Sequence, residues 1–206
     1  MGNFISQKSA LKIIAAYAIT MFVACSGNTN QQSDKMANDS TADSSKKMAE
    51  EHNDAKFDKS EEKDAQFLVD AANINLAEIK IGELAMTKAS AKEVKDLAKM
   101  IYDDHIKANN ALTDLAKKKN ITIPVATDDN ANSMYNSLNQ KSGYDFDQEF
   151  CAKMVDGHKD AIEKFNKASN DANDADIRNW AMTMLTSLRM HLDQAMNCQA
   201  KLKGKK

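Results

Sequence analysis

The chain has 206 residues, of which 42% are hydrophobic and 28% charged, with a formal net charge of −2. Six glycines and one proline are too few for a β-sandwich or barrel, which turns about every 8–12 residues. The near-neutral charge excludes the basic footprint of a nucleic-acid binder, and three cysteines without a CxxC pair exclude a zinc ribbon or thioredoxin motif. The composition therefore predicts a mostly helical protein.

Residues 1–24 have the pattern of an export signal. Lys8 and Lys12 precede an apolar run over residues 13–24, which as a helix is about 18 Å long, too short for a bilayer core of about 30 Å. A basic start, a short apolar stretch and small residues before a break are typical of a secretory signal. An ordinary cleaved signal is one interpretation. The other is a bacterial lipoprotein signal, which the segment resembles because Cys25 directly follows the apolar run.

A lipoprotein signal would make Cys25 the lipidated first residue of the mature protein. Its acyl chains would hold the protein at a membrane surface without spanning the bilayer. We therefore expect a lipoprotein of the cell envelope, attached to the outer membrane and facing the periplasm. That compartment is oxidising enough for disulfides. The membrane is the partner that this interpretation implies, and no pattern in the sequence identifies a protein partner or a nucleic acid.

Residues 25–60 are predicted to form a disordered tether. They are rich in Asn, Ser, Gln, Asp and Lys, with few large apolar side chains. Such a segment buries too little apolar surface to offset the entropy of ordering it. His52 lies in this segment and is expected to be solvated.

From residue 61 the apolar residues follow helical periodicity. Helices are predicted over residues 61–88, from a capping box at Ser90 to about 119, over 144–169, and from a cap at Asn173 or Asp174 to about 202. Residues 120–143 form a long connection with a short helix near 130–140. Two short connections and one long crossover predict an all-α fold, an antiparallel four-helix bundle of the ferritin-like type over residues 61–206.

One polar residue interrupts the apolar stripe of each long predicted helix. These residues are Glu78, His105, His158 and His191. Burying a polar group costs free energy unless it is hydrogen-bonded, paired or metal-bound. His158 and His191 lie about equally far from the turn near residue 174, as Glu78 and His105 do from the break near Ser90. Each pair can therefore lie at one level of its hairpin.

The same register brings two cysteines together. Cys151 and Cys198 lie about two helical turns beyond His158 and His191, again equally far from the turn. They are expected to face each other, either as an interhelical disulfide in an oxidising compartment or as two reduced thiols in the core.

Three imidazoles and one carboxylate suit zinc, copper, iron or manganese. Asp104 and Asp156 flank the histidines and are candidates for orienting their rings, although both could instead be solvated. The residues three before each histidine are Tyr102, Val155 and Leu188, so the Glu-x-x-His pairs of di-iron carboxylate proteins are missing. Thioethers favour Cu(I), so the methionines on these helices suggest a copper site as one possibility. They are Met100, Met154, Met184, Met190 and Met196.

The main alternative is a metal-free network of buried hydrogen bonds, which would make the domain a structural or protein-interaction module. A pocket for a small ligand or partner is a further alternative. An enzyme is less favoured, because no Gly-rich phosphate loop, GxSxG or HExxH motif occurs, and a metalloenzyme would also need an open coordination position and a cleft. Storage, metal buffering or protection of the envelope from stress is the more natural role for such a site.

Several segments are similar to the bacterial domain-of-unknown-function 4142 family. They are FLVDAA at 67–72, LAE at 76–78, LAKMIYDDH at 97–105, FD at 146–147, MVDGH at 154–158 and LRMHL at 188–192. The resemblance covers residues 61–200. It implies an exported protein, commonly a lipoprotein or outer-membrane protein, with a ferritin-like bundle and no settled activity. Met190 stands where family members often carry a second histidine.

Overall fold

The computed structural model describes residues 40–204, with side chains from residue 45 onward. This part of the chain forms six helices and no strand, which confirms the all-α class. The helices are α1 (Ser40–Asp54), α2 (Lys59–Lys88), α3 (Lys92–Lys119), α4 (Asp129–Asn139), α5 (Gly143–Asp171) and α6 (Ala175–Lys203). The signal sequence, Cys25 and the first part of the predicted tether lie outside the described residues. Among these six helices none combines the length and the apolar character that crossing a membrane requires.

The four long helices form two hairpins. Along α2 and α3, Asn75 meets His105, whereas Gly82, further along α2, lies against Tyr102, further back along α3. The two helices are therefore antiparallel. A Cβ at Gly82 would lie 3.2 Å from the Tyr102 Cβ and from the Ala98 carbonyl oxygen, so glycine permits this close approach. Helices α5 and α6 are also antiparallel, since His158 meets His191 whereas Asn166, further along α5, meets Arg189, further back along α6. Helix α2 packs on α5, and α3 packs on α6.

The buried apolar residues form two clusters with a polar layer between them. One cluster lies toward the α2–α3 turn and includes Ile81, Ile101, Phe150 and Cys198. The other lies toward the α5–α6 turn and includes Leu68, Leu112, Phe165 and Leu188. In each long helix the boundary between the clusters falls at a buried polar residue. We call these residues the polar layer: Asn75, Glu78, His105, His158 and His191.

Each hairpin turn is held by a buried aspartate from the other hairpin. Asp147, near the start of α5, accepts hydrogen bonds from the backbone N–H groups of Ser90 and Ala91, at 3.0 and 2.8 Å, and from the Ser90 hydroxyl. Asp64, near the start of α2, accepts from the N–H groups of Asn173 and Asp174 at 2.9 and 2.7 Å. The two hairpins are thereby tied together at both ends.

The predicted capping box at Ser90 is wrong. Helix α3 has Ala91 as its N-cap, without a side-chain cap, because the Ser90 hydroxyl donates to Asp147 instead. At the start of α6 the expected cap is Asp174, whose carboxylate accepts from the N–H groups of Asp176 and Ile177 at 2.8 and 3.2 Å. The short helix expected near 130–140 is α4.

The structure differs from the predicted tether at residues 40–54, which form α1. Asn53 is buried, and its amide side chain pairs with the backbone of Thr122, donating to the carbonyl at 2.8 Å and accepting from the N–H at 2.9 Å. Ala49 is buried as well. The composition missed this helix because polar hydrogen bonds rather than apolar area attach it. His52 is exposed, as expected, and its ring hydrogen-bonds the Thr122 hydroxyl at 2.8 Å.

Candidate metal centre

The structure brings three of the four candidate ligands together. His105 on α3, His158 on α5 and His191 on α6 are 3%, 1% and 1% exposed. One ring nitrogen of each lies within 4.8 Å of those of the other two. Nε2 of His158 and Nδ1 of His191 are 3.3 Å apart. The three helices thus converge on one buried point with three imidazoles.

Each imidazole is oriented by a hydrogen bond on its far nitrogen. Nδ1 of His158 lies 2.8 Å from the carbonyl oxygen of Met154, one turn back on α5. Since a carbonyl only accepts, that nitrogen carries the proton and donates it. Nδ1 of His105 donates in the same way to Oδ1 of Asn75 at 2.9 Å. These bonds leave Nε2 of both rings as lone-pair nitrogens.

His191 is oriented by Asp104. Its Nε2 lies 3.2 Å from the carboxylate of Asp104. Partial burial raises the pKa of Asp104, but hydrogen bonds from Lys107 and His191 outweigh burial and hold it below its usual value. The ionised carboxylate accepts, so Nε2 of His191 carries the proton and Nδ1 is the lone-pair nitrogen.

His158 Nε2 and His191 Nδ1 lie 3.3 Å apart; two neutral rings would turn lone pairs toward each other there, and a proton or a metal ion between the two nitrogens removes that repulsion. The third, Nε2 of His105, is buried and has no hydrogen-bond partner among the described residues. Buried polar atoms are normally paired, and one left unpaired costs about 1–3 kcal/mol. A bound cation would satisfy all three nitrogens, so the donor set of the site fits a transition-metal ion.

Glu78 lies beside this cluster but does not join it. Its carboxyl is buried, with Oε1 3.5 Å from where a Cβ of Gly157 would lie. Its Oε2 has no partner within the described part of the chain. Burial raises the pKa of Glu78, and the nearby His158 opposes that effect in part. The ligand atoms that lie close to one another are those of the three histidines. Glu78 was expected to be a direct ligand as well, and the structure does not place it in that group.

The partners that orient the rings differ in part from those expected. Asp104 does orient an imidazole, that of His191 on the neighbouring helix. Asp156 is exposed on α5, on the side of the helix away from the polar layer. The expectation that it orients a histidine ring is therefore wrong. Sequence reasoning missed Asn75, the partner of His105. Its place one turn before Glu78 on the buried face of α2 was the available signal.

Cys151 and Cys198 lie where the register predicts. Both are buried and free, and they are close enough for each thiol to shift the pKa of the other. They belong to the apolar cluster near the α2–α3 turn. The structure therefore places two thiols side by side across α5 and α6.

The buried imidazoles make the metal-free protein sensitive to acid. Burial, together with the neighbouring His158, holds the pKa of His105 well below its ordinary 6.5. Burial also lowers the pKa of His191, against the hydrogen bond to Asp104. Below about pH 6.5 these two histidines bind protons in the unfolded chain but stay neutral in the folded protein. Their contribution to stability is therefore present above pH 6.5 and lost as the pH falls.

We expect His105→Leu to flatten the acid side of the stability profile. Each proton that only the unfolded state binds adds about 1.4 kcal/mol per pH unit to the slope of the unfolding free energy against pH. Below pH 6 that slope should therefore fall by roughly this amount in the variant. Urea denaturation of chelator-treated protein at pH 7.5, 6.5 and 5.5 measures it. His52→Leu, at an exposed histidine, serves as the control. Equal slopes for wild type and His105→Leu would contradict the expectation.

Two solved structures share this fold. CopM in its Cu(II)-bound form matches over 67% of this chain and 96% of its own, at 18% identity and a TM-score of 0.57. The conserved hypothetical protein rv2844 from Mycobacterium tuberculosis matches over 66% of this chain and 90% of its own, at 19% identity and a TM-score of 0.53. No curated protein sequence matches significantly.

The family comparison agrees with the resemblance seen in the sequence. The model of the family described as "Domain of unknown function (DUF4142)" matches residues 49–198, well over half of the chain. The match begins within α1, so the family domain includes part of the helix that composition had assigned to a tether. This chain therefore belongs to the DUF4142 family.

Proposed function

We propose that the protein binds one transition-metal ion through Nε2 of His105, Nε2 of His158 and Nδ1 of His191. The observation that supports this most directly is the pair of ring nitrogens 3.3 Å apart, next to a third buried nitrogen without a partner in the described residues. Nitrogens that bind one tetrahedral ion at about 2.0–2.1 Å lie about 3.3–3.4 Å from each other. The His158–His191 pair already has that spacing, and His105 would move inward to complete it.

The donor set narrows the choice of metal. Three neutral imidazoles suit zinc, copper or iron, whereas manganese prefers oxygen donors. With Glu78 outside the cluster, manganese becomes the least suited of the four metals expected. CopM, which shares the fold, has been solved with Cu(II), and this supports including copper. Storage, buffering or a role in envelope stress is the function we propose for the bound ion.

Calorimetric titration of the metal-free full chain in mild detergent with Zn(II), Cu(II), Fe(II) and Co(II) tests the proposal. We expect one ion per chain for at least one of the metals. The double variant His105→Ala/His191→Ala should lose this binding, whereas His52→Ala, which removes the exposed histidine, should keep it. Thermal denaturation provides a second readout, because a ligand that binds the folded state raises the melting temperature.

The alternative function predicts a different result. If the folded chain takes up none of these metals, the proposal fails and the polar layer serves a metal-free structural or interaction module. Its hydrogen bonds from His105 to Asn75 and from His191 to Asp104 would then contribute to packing specificity alone. Loss of binding in His52→Ala as well would place the metal elsewhere and would also reject the three-histidine site.

The finer architecture is also part of the proposal. We assign the two paired hairpins to an antiparallel four-helix bundle of the ferritin-like type. The long connection with α4 between α3 and α5 supports this, since a single crossover is typical of that topology.

We further propose attachment to the outer membrane, facing the periplasm, through acyl chains on Cys25. The sequence around Cys25 and the family of the chain support this. Cells grown with labelled palmitate should label the wild-type protein, and Cys25→Ser should abolish the label. Cys198→Ala is the control and should remain labelled. Label that persists in Cys25→Ser would reject the anchor.

A further inference from the structure

A groove with a volume of about 460 Å³ lies between α2 and α5, in the half of the bundle next to the α5–α6 turn. Its lining residues belong to α2, to α5 and to Ala172, which directly follows α5. Farther along, toward the α2–α3 turn, α4 packs on both of these helices and buries Leu138 in the apolar cluster there. Since no residue of α4 lines the groove, this half of the α2–α5 face is left open by α4.

The floor of the groove is apolar and aromatic. The rings of Phe67 and Phe165 line it and pack edge to face, with their centroids 5.0 Å apart. Ala71, Ala168 and Ala172 line it as well, and their small buried side chains leave the space open. Sites for small organic ligands have volumes of about 300–1,000 Å³ and walls of mainly hydrophobic and aromatic side chains. The groove therefore suits the apolar part of a small ligand.

The rim of the groove carries an excess of unpaired positive charge. Among the carboxylates that line it, buried Asp64 is engaged by the N–H groups of the α5–α6 turn. Asp70 is paired with Lys46 at 3.1 Å, which leaves Asp171 on the exposed rim. Three lining lysines are exposed and form no ion pair within the described part of the chain, and these are Lys63, Lys164 and Lys167. The rim therefore complements a negatively charged group.

We propose that the groove binds a single-chain amphiphile of the fatty-acid type, with its carboxylate beside Lys164 and Lys167 and its hydrocarbon chain over Phe67 and Phe165. The two lysines lie three residues apart on α5, so they are neighbours on the helix surface and can contact one carboxylate. Their aliphatic stems can cover the hydrocarbon chain while the ammonium groups stay in water. Burial of the chain supplies the affinity, and the lysines select the sign of the head group. None of the three histidines lines this groove, so the inference is independent of the metal site.

Trp180 provides a built-in reporter for the groove. It is the single tryptophan of the chain, and its ring centroid lies 6.0 Å from that of Phe67 and 5.5 Å from that of Phe165. A ligand that covers these two rings should therefore change the tryptophan fluorescence.

The experiment titrates the full chain carrying Cys25→Ser with dodecanoate, in detergent-free buffer and below the concentration at which dodecanoate forms micelles. Without Cys25, no acyl chain of the protein competes for the groove. Equilibrium dialysis with radiolabelled dodecanoate counts the bound molecules. We expect one dodecanoate per chain and a saturable change in fluorescence. Dodecyltrimethylammonium, which has the same chain length and a cationic head group, should bind at least tenfold more weakly.

Two variants locate the ligand in the groove. Lys164→Gln/Lys167→Gln removes two exposed charges and should weaken dodecanoate binding at least threefold. Lys117→Gln/Lys159→Gln removes the same charge at exposed lysines that do not line the groove, and it should leave the affinity unchanged. Ala168→Leu fills part of the floor and should weaken binding at least tenfold. Because Ala168 is buried, the lysine variants keep the test decisive if this third variant fails to fold.

Several results would overturn the inference. One is the absence of saturable dodecanoate uptake; if the chain is then also dimeric in sedimentation, the groove belongs to a second copy of the chain. Equal affinity for the anionic and cationic amphiphiles would show apolar contact without recognition of the head group. Unchanged affinity in Lys164→Gln/Lys167→Gln, or an equal loss in its control, would place the carboxylate elsewhere.

Discussion

Replacing Asp147 with alanine is expected to lower the free energy of unfolding by roughly 3 kcal/mol. Its buried carboxylate accepts three hydrogen bonds from the α2–α3 turn, and bonds to a charged group contribute about 1.5–3 kcal/mol each. Because Ser90 is exposed, water can replace part of what is lost. The start of α3 has no side-chain cap of its own, so the variant also loses a negative charge near that helix N-terminus.

Chemical denaturation followed by circular dichroism measures this effect. For a domain of this size, 3 kcal/mol corresponds to a fall in melting temperature of roughly 6–12 °C. Asp147→Asn keeps one acceptor oxygen and should lose less than the alanine variant. Asp145→Ala, at an exposed carboxylate two residues earlier, should change stability by about 0.5 kcal/mol or less. A similar loss in both alanine variants would show that the turn contacts are not the cause.

Asp64 supports the same argument at the opposite end of the helices. It accepts from the two backbone N–H groups of the α5–α6 turn, so Asp64→Ala should destabilise the fold by a comparable amount. Since the two aspartates share no partner, their effects should add to within about 0.5 kcal/mol. Strong non-additivity would indicate that the two turns are energetically coupled.

Periodicity predicted the long helices and the polar layer because it reports which face of each helix is buried. The stripes along the long helices identified His105, His158 and His191, and the equal distances from the turns placed the last two level. The same pattern gave the short helix α4. These features depend on local spacing, which a single sequence contains.

Other features depend on contacts between distant segments, which spacing does not encode. Asn75 and Glu78 lie about one turn apart on the same face of α2. Which of them contacts a histidine depends on how α2 is rotated and shifted against α3, and in the structure it is Asn75. Docking of α1 depends on contacts such as that of the Asn53 amide, which pairs with a backbone group 69 residues away. The turns are held by aspartates from the other hairpin, so the Ser90 hydroxyl was assigned to a helix cap that it does not form.

Oxidation of the Cys151–Cys198 pair to a disulfide is expected to stabilise the fold by about 4 kcal/mol. The bond would close a loop of nearly fifty residues, and in the chain-entropy account a loop of this length restricts the unfolded state by about that amount. The thiols are already neighbours on facing positions of α5 and α6, so little rearrangement is required. Forming the bond removes two protons and two electrons, which oxidised glutathione accepts as it becomes two thiols.

The test uses the chain with Cys25→Ser, incubated with oxidised or reduced glutathione and then denatured. Intact mass should show the loss of two hydrogen atoms, and peptide mapping should join the segments that contain Cys151 and Cys198. The melting temperature of the oxidised form should be higher by roughly 8–16 °C. Cys198→Ala removes one partner and should make the melting temperature independent of the glutathione state. A wild-type pair that stays reduced, or a disulfide without a thermal effect, would contradict the expectation. Because both thiols are buried, oxidation should proceed faster during refolding than in the folded protein.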